Sequence, residues 1–354
     1  MRRLTLILSD LYLPTDAGPA EAGAEPAGRG AGLRAALDLP NLDWLLRFAG
    51  RAGRIDDWRS WLSADIGGLD LSAVSLAQAC AQGILPAPLS DNAWLATPVH
   101  LEARIDHVRL ADRGLLRLSA EERDAWRQDF TRTFGPQYAL HDAGERGFLL
   151  SGASFSRVAS VDPARLLDAD IGRALPTGPA AGELRRLGTE IEMWLHGAPG
   201  NGTRERKRER RVSALWLWGG GAPQRAASDS LRSSADVVTG ARPRFYGGDP
   251  FLSALAGPNL NPPPASFAAL AESEGRYVIE FAPMSGRRDE SLAALESNWF
   301  GPAREAASHG ALTIELVAND RWFRIDPRPA WRIWRKRRSW LAHLARHMPD
   351  AKAL

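Results

Sequence analysis

A single cysteine, Cys80, in a chain of 354 residues leaves no partner for an internal disulfide. It also rules out a zinc or iron–sulfur centre built from thiolates. Nowhere does the sequence approach the roughly 20 consecutive apolar residues that cross a bilayer. The apolar run at the N-terminus, Leu4 to Leu8, stops at Ser9-Asp10, too early for the core of a secretion signal. These shortages predict a cytoplasmic protein without a membrane segment. Charge of one sign is also lacking: 45 Lys and Arg face 42 Asp and Glu, a net charge of +3, which argues against a dedicated nucleic-acid binder. The seven histidines stand at 100, 107, 141, 196, 309, 343 and 347, none of them beside a G-x-S-x-G nucleophile motif.

What is present is ordinary globular material, 44% hydrophobic and 25% charged, in a chain long enough for one large domain or two. Leu4 to Leu8 reads as a buried strand ending in a polar loop. Residues 14 to 32, rich in Ala, Gly and Pro, read as a mobile loop. Helical spacing begins at Asn41, with Leu42, Leu45, Leu46 and Ala49, and another helix is expected over 70–82, where Cys80 is a small core residue. Leu115 to Leu118 and Phe148 to Leu150 read as short strands, and Ser119-Ala-Glu-Glu122 carries a capping box. A strong helix starts at Glu183, through Leu184, Leu187, Ile191 and Leu195. Ser213 to Gly221 is an apolar strand emptying into three glycines, and 277–281 and 312–317 are further strands.

This alternation predicts an α/β fold: a mostly parallel central sheet flanked by helices, like alkaline phosphatase, with a smaller inserted α+β lobe. The core lobe is expected to comprise 1–88 and 186–354, and the inserted lobe 89–185.

Four patterns bear on chemistry. Gly219-Gly-Gly221 lacks a following helix and a Walker lysine, so a tight turn is favoured over a phosphate cradle. Arg204 to Arg211 holds six basic residues in eight positions, with Glu205 and Glu209 at pairing distance, which favours a solvated segment that keeps one or two arginines for an anion. Trp331 to Trp340 interleaves aromatics and bases; a docked terminal helix is favoured over single-stranded nucleic acid. His343 and His347 lie four apart, but no glutamate stands between them, so they read as cations near a helix C-terminus.

Several segments in order resemble the archaeal-type cofactor-independent phosphoglycerate mutases of the alkaline phosphatase superfamily. They are the strand ending at Asp10; Leu39-Pro-Asn-Leu-Asp43; Arg146-Gly-Phe-Leu-Leu150; Asp168 to Gly178; and the block from Leu195-His-Gly-Ala-Pro-Gly-Asn201 through Arg204 to Ser213-Ala-Leu-Trp-Leu-Trp-Gly219. More narrowly, the start and end of the 190–221 block look like the RpfE-type proteins, a bacterial group named as regulatory.

The resemblance implies an alkaline-phosphatase-like fold. It also implies, for active members, two divalent metals held by aspartates and histidines, and a serine nucleophile. This chain departs from that pattern. Asp10 is followed by Leu11 rather than glycine, and Met284 to Ser291 brings no histidine but Arg287 and Arg288. Asn319-Asp320-Arg321 replaces Asp-His, and Asp170 lacks its histidine partner. Ser60 and Ser63 are only the nearest serines to a nucleophile position.

The expected metal site is therefore lost: no metal and no cofactor, with Asp10 and Asp320 vestigial. Asn201, Arg204, Arg206, Arg287 and Arg288 become the candidates for holding a small anionic metabolite. The expected function is that of a catalytically inactive, regulatory or metabolite-sensing protein, with a protein partner also possible on this reading. Two alternatives stand beside it. One is an active phosphotransferase or phosphatase using Asp10, Asp320 and Asp289 with Mn or Mg; the other is a nucleic-acid- or protein-binding module built on Trp331 to Trp340.

Overall fold

The first strand carries leucine at every second position, Leu4, Leu6 and Leu8, so one side of it is apolar while Arg3 and Thr5 point the other way. A computed structural model describes residues 2–13, 37–67, 71–86, 89–221, 242–270, 274–286, 288–328, 335–336 and 338–345. In chain order its main elements are β1 (Arg2–Leu8), α1 (Pro40–Phe48), β2 (Arg51–Arg54), α2 (Trp58–Ile66), α3 (Leu76–Ala81), β3 (Trp94–Ala103), β4 (Val108–Leu115), α4 (Ala120–Phe134), β5 (Ala139–Asp142) and β6 (Phe148–Ser151). There follow α5 (Ala181–Gly197), α6 (Pro199–Arg206), β7 (Ala214–Trp218), β8 (Arg244–Tyr246), α7 (Pro250–Ala256), β9 (Leu260–Asn261), β10 (Arg276–Phe281), α8 (Leu292–Leu295), α9 (Gly301–Ser308), β11 (Leu312–Ala318), β12 (Arg321–Ile325) and α10 (Trp340–Ala345). The loop expected over 14–32 lies outside the described residues.

Two compact units result. The first draws its described residues from 1–58, 238–246 and 263–354, the second from 59–237 and 247–262. The expected lobe 89–185 falls within the second unit, and so does the 190–221 block.

In the first unit the strands run in the order β2-β12-β11-β1-β10-β8. β1 is parallel to both β10 and β11, with Leu6 opposite Ile279 and Leu316, and β8 is parallel to β10. β12 and β2 are antiparallel additions, so the sheet is mixed rather than mostly parallel. The reason is local. Ala318 pairs with Arg321, leaving the two-residue turn Asn319-Asp320, and both residues have positive φ, 49° and 53°. That is the backbone of a type I′ hairpin, which returns the chain antiparallel, whereas a parallel return needs a long crossover.

The apolar face of this sheet packs Leu4, Leu6, Ile279, Ile314 and Leu316 against Leu42, Leu45, Trp299 and Phe300. The other face buries charge. Glu315, fully enclosed, accepts from Arg3 Nε at 2.9 Å and Thr5 Oγ at 3.0 Å, and Arg276 lies 3.6 Å away.

The second unit is built on an antiparallel sheet centred on β3, which pairs with β4, β6 and β7, while β5 pairs with β6. Trp126 and Phe130 of α4, and Leu187, Ile191 and Leu195 of α5, share its core with Leu215 and Leu217 of β7. The pairing of Leu95 to Val99 with Ala214 to Trp218 is what brings the 190–221 block into this unit.

Local signals act as the sequence predicts. Ser119 Oγ accepts from Glu122 N at 3.2 Å, and the Glu122 carboxylate accepts from Ser119 N at 2.8 Å, closing the capping box. α3 starts later than expected, because the Ser75 side chain caps it by accepting from Gln78 N. Cys80 is buried there.

Candidate functional site

Where β1 and β10 end side by side in the first unit, their following residues interlock. Asp10, 3% exposed, has its carboxylate set against the turn after β10. It accepts from Met284 N at 3.1 and 3.2 Å, Ser285 N at 2.7 Å and Ser285 Oγ at 2.6 Å. Next to it, Ser9 Oγ donates to the buried Glu280 carboxylate and to Phe281 O at 3.2 Å. The turn is tight: a Cβ on Gly286 would stand 2.4 Å from both Ala282 O and Glu290 Oε2. Glycine is therefore required at 286, and the amides of 284 and 285 are held facing Asp10.

The third strand end is tied in through the hairpin. Asn319 N donates to Leu11 O at 3.0 Å, Asn319 Oδ1 accepts from Leu13 N at 2.9 Å, and Asn319 Nδ2 donates to Leu344 O at 3.1 Å. Asp320 is the second central residue of the turn, and its carbonyl accepts from Ile55 N at 2.9 Å. Arg288 and Asp289 are exposed in the short turn after β10, and Arg287 lies outside the described residues.

This arrangement does not fit a two-metal centre. An ionised carboxylate offers only acceptor lone pairs, and N–H and O–H donors already point at those of Asp10. Those donors take up the lone pairs through which the carboxylate would otherwise ligate a cation. Among the described residues no group of three or more His, Cys, Asp and Glu is placed to hold a metal.

The second set of predicted residues belongs to the second unit. Asn201, 1% exposed, donates through Nδ2 to Leu195 O at 2.8 Å and Val212 O at 2.9 Å, and its Oδ1 accepts from Val212 N at 2.8 Å. It thus joins the end of α5 to the approach to β7. Arg204 is buried; it donates to Glu122 Oε1 at 2.6 Å and Arg210 O at 2.7 Å, with Glu209 at 3.5 Å. Arg206 is exposed and donates to Thr203 Oγ at 3.0 Å. Ser60 and Ser63 are buried on α2. The glycines after β7 form a bend, Gly219 and Gly221 having φ of 73° and 80°.

At the C-terminus, Trp340 is buried and its Nε1 donates to Leu37 O at 3.1 Å, while Arg47 Nε donates to Arg335 O at 2.8 Å. The rest of the Trp331–Trp340 stretch is described only at 335–336 and 338–339, and His347 lies outside the described residues.

One cluster has no counterpart among the predicted residues. Arg59 donates to Asp249 Oδ2 at 2.7 Å and Asp162 Oδ2 at 2.8 Å, with its guanidinium 5.1 Å from the Trp218 ring centre. Burial pushes the Asp249 carboxyl up, but Arg59 and Arg146 outweigh it and hold it below the ordinary range. The one local pattern that could point to it is Asp249 before Pro250, where the Asp249 side chain caps α7 by accepting from Phe251 N at 2.9 Å.

No protein-family model and no curated protein matches the sequence. Among solved structures, the cofactor-independent phosphoglycerate mutase of Thermoplasma acidophilum DSM 1728 is similar over 92% of this chain and 89% of its own, at 16% identity and a TM-score of 0.34. The PH0037 protein of Pyrococcus horikoshii is similar over 92% of this chain and 87% of its own, at 12% identity and a TM-score of 0.40. Values this low transfer neither activity nor site residues. No helix among the described residues is long and apolar enough to cross a membrane.

Proposed function

We propose that this chain is a non-catalytic relative of the metal-dependent phosphoryl-transfer enzymes and works by binding. The observation that carries the reading is the donor set on Asp10. The carboxylate that opens the site in the resembling enzymes is here bonded to Met284 and Ser285. Metal-assisted phosphoryl transfer needs cations to activate the nucleophile and to neutralise phosphate oxygens. With Asp10 engaged and Asp320 serving a hairpin, that chemistry has no frame. Exposed Arg288, beside Arg287 in sequence, supplies charge suited to a small anionic metabolite, in keeping with the regulatory role that the RpfE resemblance implies.

The test is turnover of phosphoglycerate and of a generic phosphate monoester, with Mn²⁺ or Mg²⁺ added. No turnover is expected, and thermal unfolding should be insensitive to either ion. Turnover that disappears in Asp10→Asn would overturn the proposal in favour of an active enzyme using Asp10, Asp289 and Asp320. On the binding side, 3-phosphoglycerate should raise the melting temperature, and Arg288→Ala should remove that rise.

A further inference from the structure

The outermost strand of the mixed sheet, β2, is four residues long with the sequence Arg-Ala-Gly-Arg, and it ends the strand order. Arg51, Ala52 and Arg54 are exposed and Gly53 is half-buried. Its partner on the inner side places Arg324 opposite Arg51 and Arg321 opposite Arg54. Like charges directly opposed across a ladder are unfavourable, so both ends of this pairing oppose the structure they sit in. Arg324 is relieved by Asp326 at 3.1 Å, and Arg321 donates to His343 O. Arg51 and Arg54 make no ion pair or side-chain hydrogen bond among the described residues.

Among the described residues no strand pairs with the outer side of β2. Ile55 N donates inward to Asp320 O, so by the alternation of an antiparallel ladder the N–H and C=O groups of Ala52 and Arg54 face outward. Between the two arginines only a methyl and a hydrogen separate this edge from an approaching chain. Among the described residues, then, the edge is unpaired, the charge at both its ends is not neutralised and its centre is small, a combination that suits one kind of ligand.

We infer that β2 is a docking edge for an extended acidic peptide, which adds to the sheet as a further strand. Backbone groups of Ala52 and Arg54 bond the incoming chain, and its carboxylates meet Arg51 and Arg54. Because those arginines are three residues apart, their side chains leave opposite faces of the strand. The peptide therefore carries acidic residues three apart, one on each face. A second copy of this chain is disfavoured as the occupant, since antiparallel pairing of β2 with itself sets arginine against arginine. The inference does not depend on whether the Asp10 site turns over phosphate.

The test uses the full chain and a fluorescent, acetylated eight-residue peptide with aspartate at positions three and six among threonine and valine. Anisotropy should show saturable binding that weakens at least tenfold in Arg51→Ser/Arg54→Thr. N-methylating the peptide amides that face the edge should abolish binding while leaving the charge intact. Three results would each overturn the proposal: equal binding of the N-methylated peptide, equal binding by the double variant with circular dichroism unchanged, or binding of a single-stranded oligonucleotide but not of the peptide.

Discussion

Asp10 and Arg204 are buried to nearly the same degree, 3% and 5% exposed, yet their partners separate them. Asp10 is a receiver: backbone amides of a turn 274 residues away are aimed at it, at the ends of two parallel strands. Arg204 is a giver. It spans from α6 to Glu122, whose other carboxylate oxygen caps α4, and to the carbonyl of Arg210 on its own exit. One carboxylate thus joins a helix cap to a salt bridge. Burial alone does not tell a site from a strut; the identity of the partner does.

The comparison is broken most severely by removing the giver. Arg204→Ala leaves the half-buried Glu122 without its cation and the Arg210 carbonyl without its donor, and the loss in urea unfolding is expected at about 2–4 kcal/mol. A loss below about 1 kcal/mol would place the pair in water, as for an exposed ion pair. Asp10→Asn keeps the shape but turns one acceptor oxygen into an N–H donor facing the amides of 284 and 285, and should cost about 1.5–3 kcal/mol. If this variant is instead more stable than the parent, Asp10 is a charge kept at the expense of stability, which is the mark of a working site.

Smaller effects sharpen the contrast between turn and ligand. Asp320→Ala places an ordinary side chain at positive φ and should lose about 1–2 kcal/mol more than Asp320→Gly, which takes that φ without a steric cost. A ligand role would make the two variants equally damaging to activity. The smallest effect is a pH slope. Burial first, and then Arg127, hold His141 below its ordinary 6.5, with its ring 2.8 Å from Ser151 Oγ. The unfolded chain therefore binds that proton more readily. The stability this supplies is present above the ordinary value and falls as pH drops through it. His141→Gln should flatten that part of the stability profile. Glu296 in the first unit has the opposite sign: burial outweighs the amides of Asn41 and Leu42 and raises its carboxyl, so this term favours folding as pH falls.

Elements fixed by neighbouring residues were legible. The capping box at Ser119, the leucine face of α5, the first strand and the late strands follow from spacing and short-range hydrogen bonding, and the structure places each near its expected position. Pairing partners were not. β7 reads as one more strand in an alternating series, but it joins an antiparallel sheet through β3, more than a hundred residues earlier in the chain. Asn319-Asp320 reads as a displaced ligand pair; as a turn it demands residues tolerant of positive φ, a need that Asn and Asp meet for reasons unrelated to metal.

The sequence by itself settled that this is an α/β chain with no disulfide, and which residues start its helices, because those properties depend on composition and on contacts a few residues long. Tertiary structure decided the direction of the outer strands, the union of Arg59 with Asp249 across 190 residues, and the enclosure of Asp10. A carboxylate has the same chemistry in every sequence; the donors folded against it determine whether it holds the protein together or acts on something else.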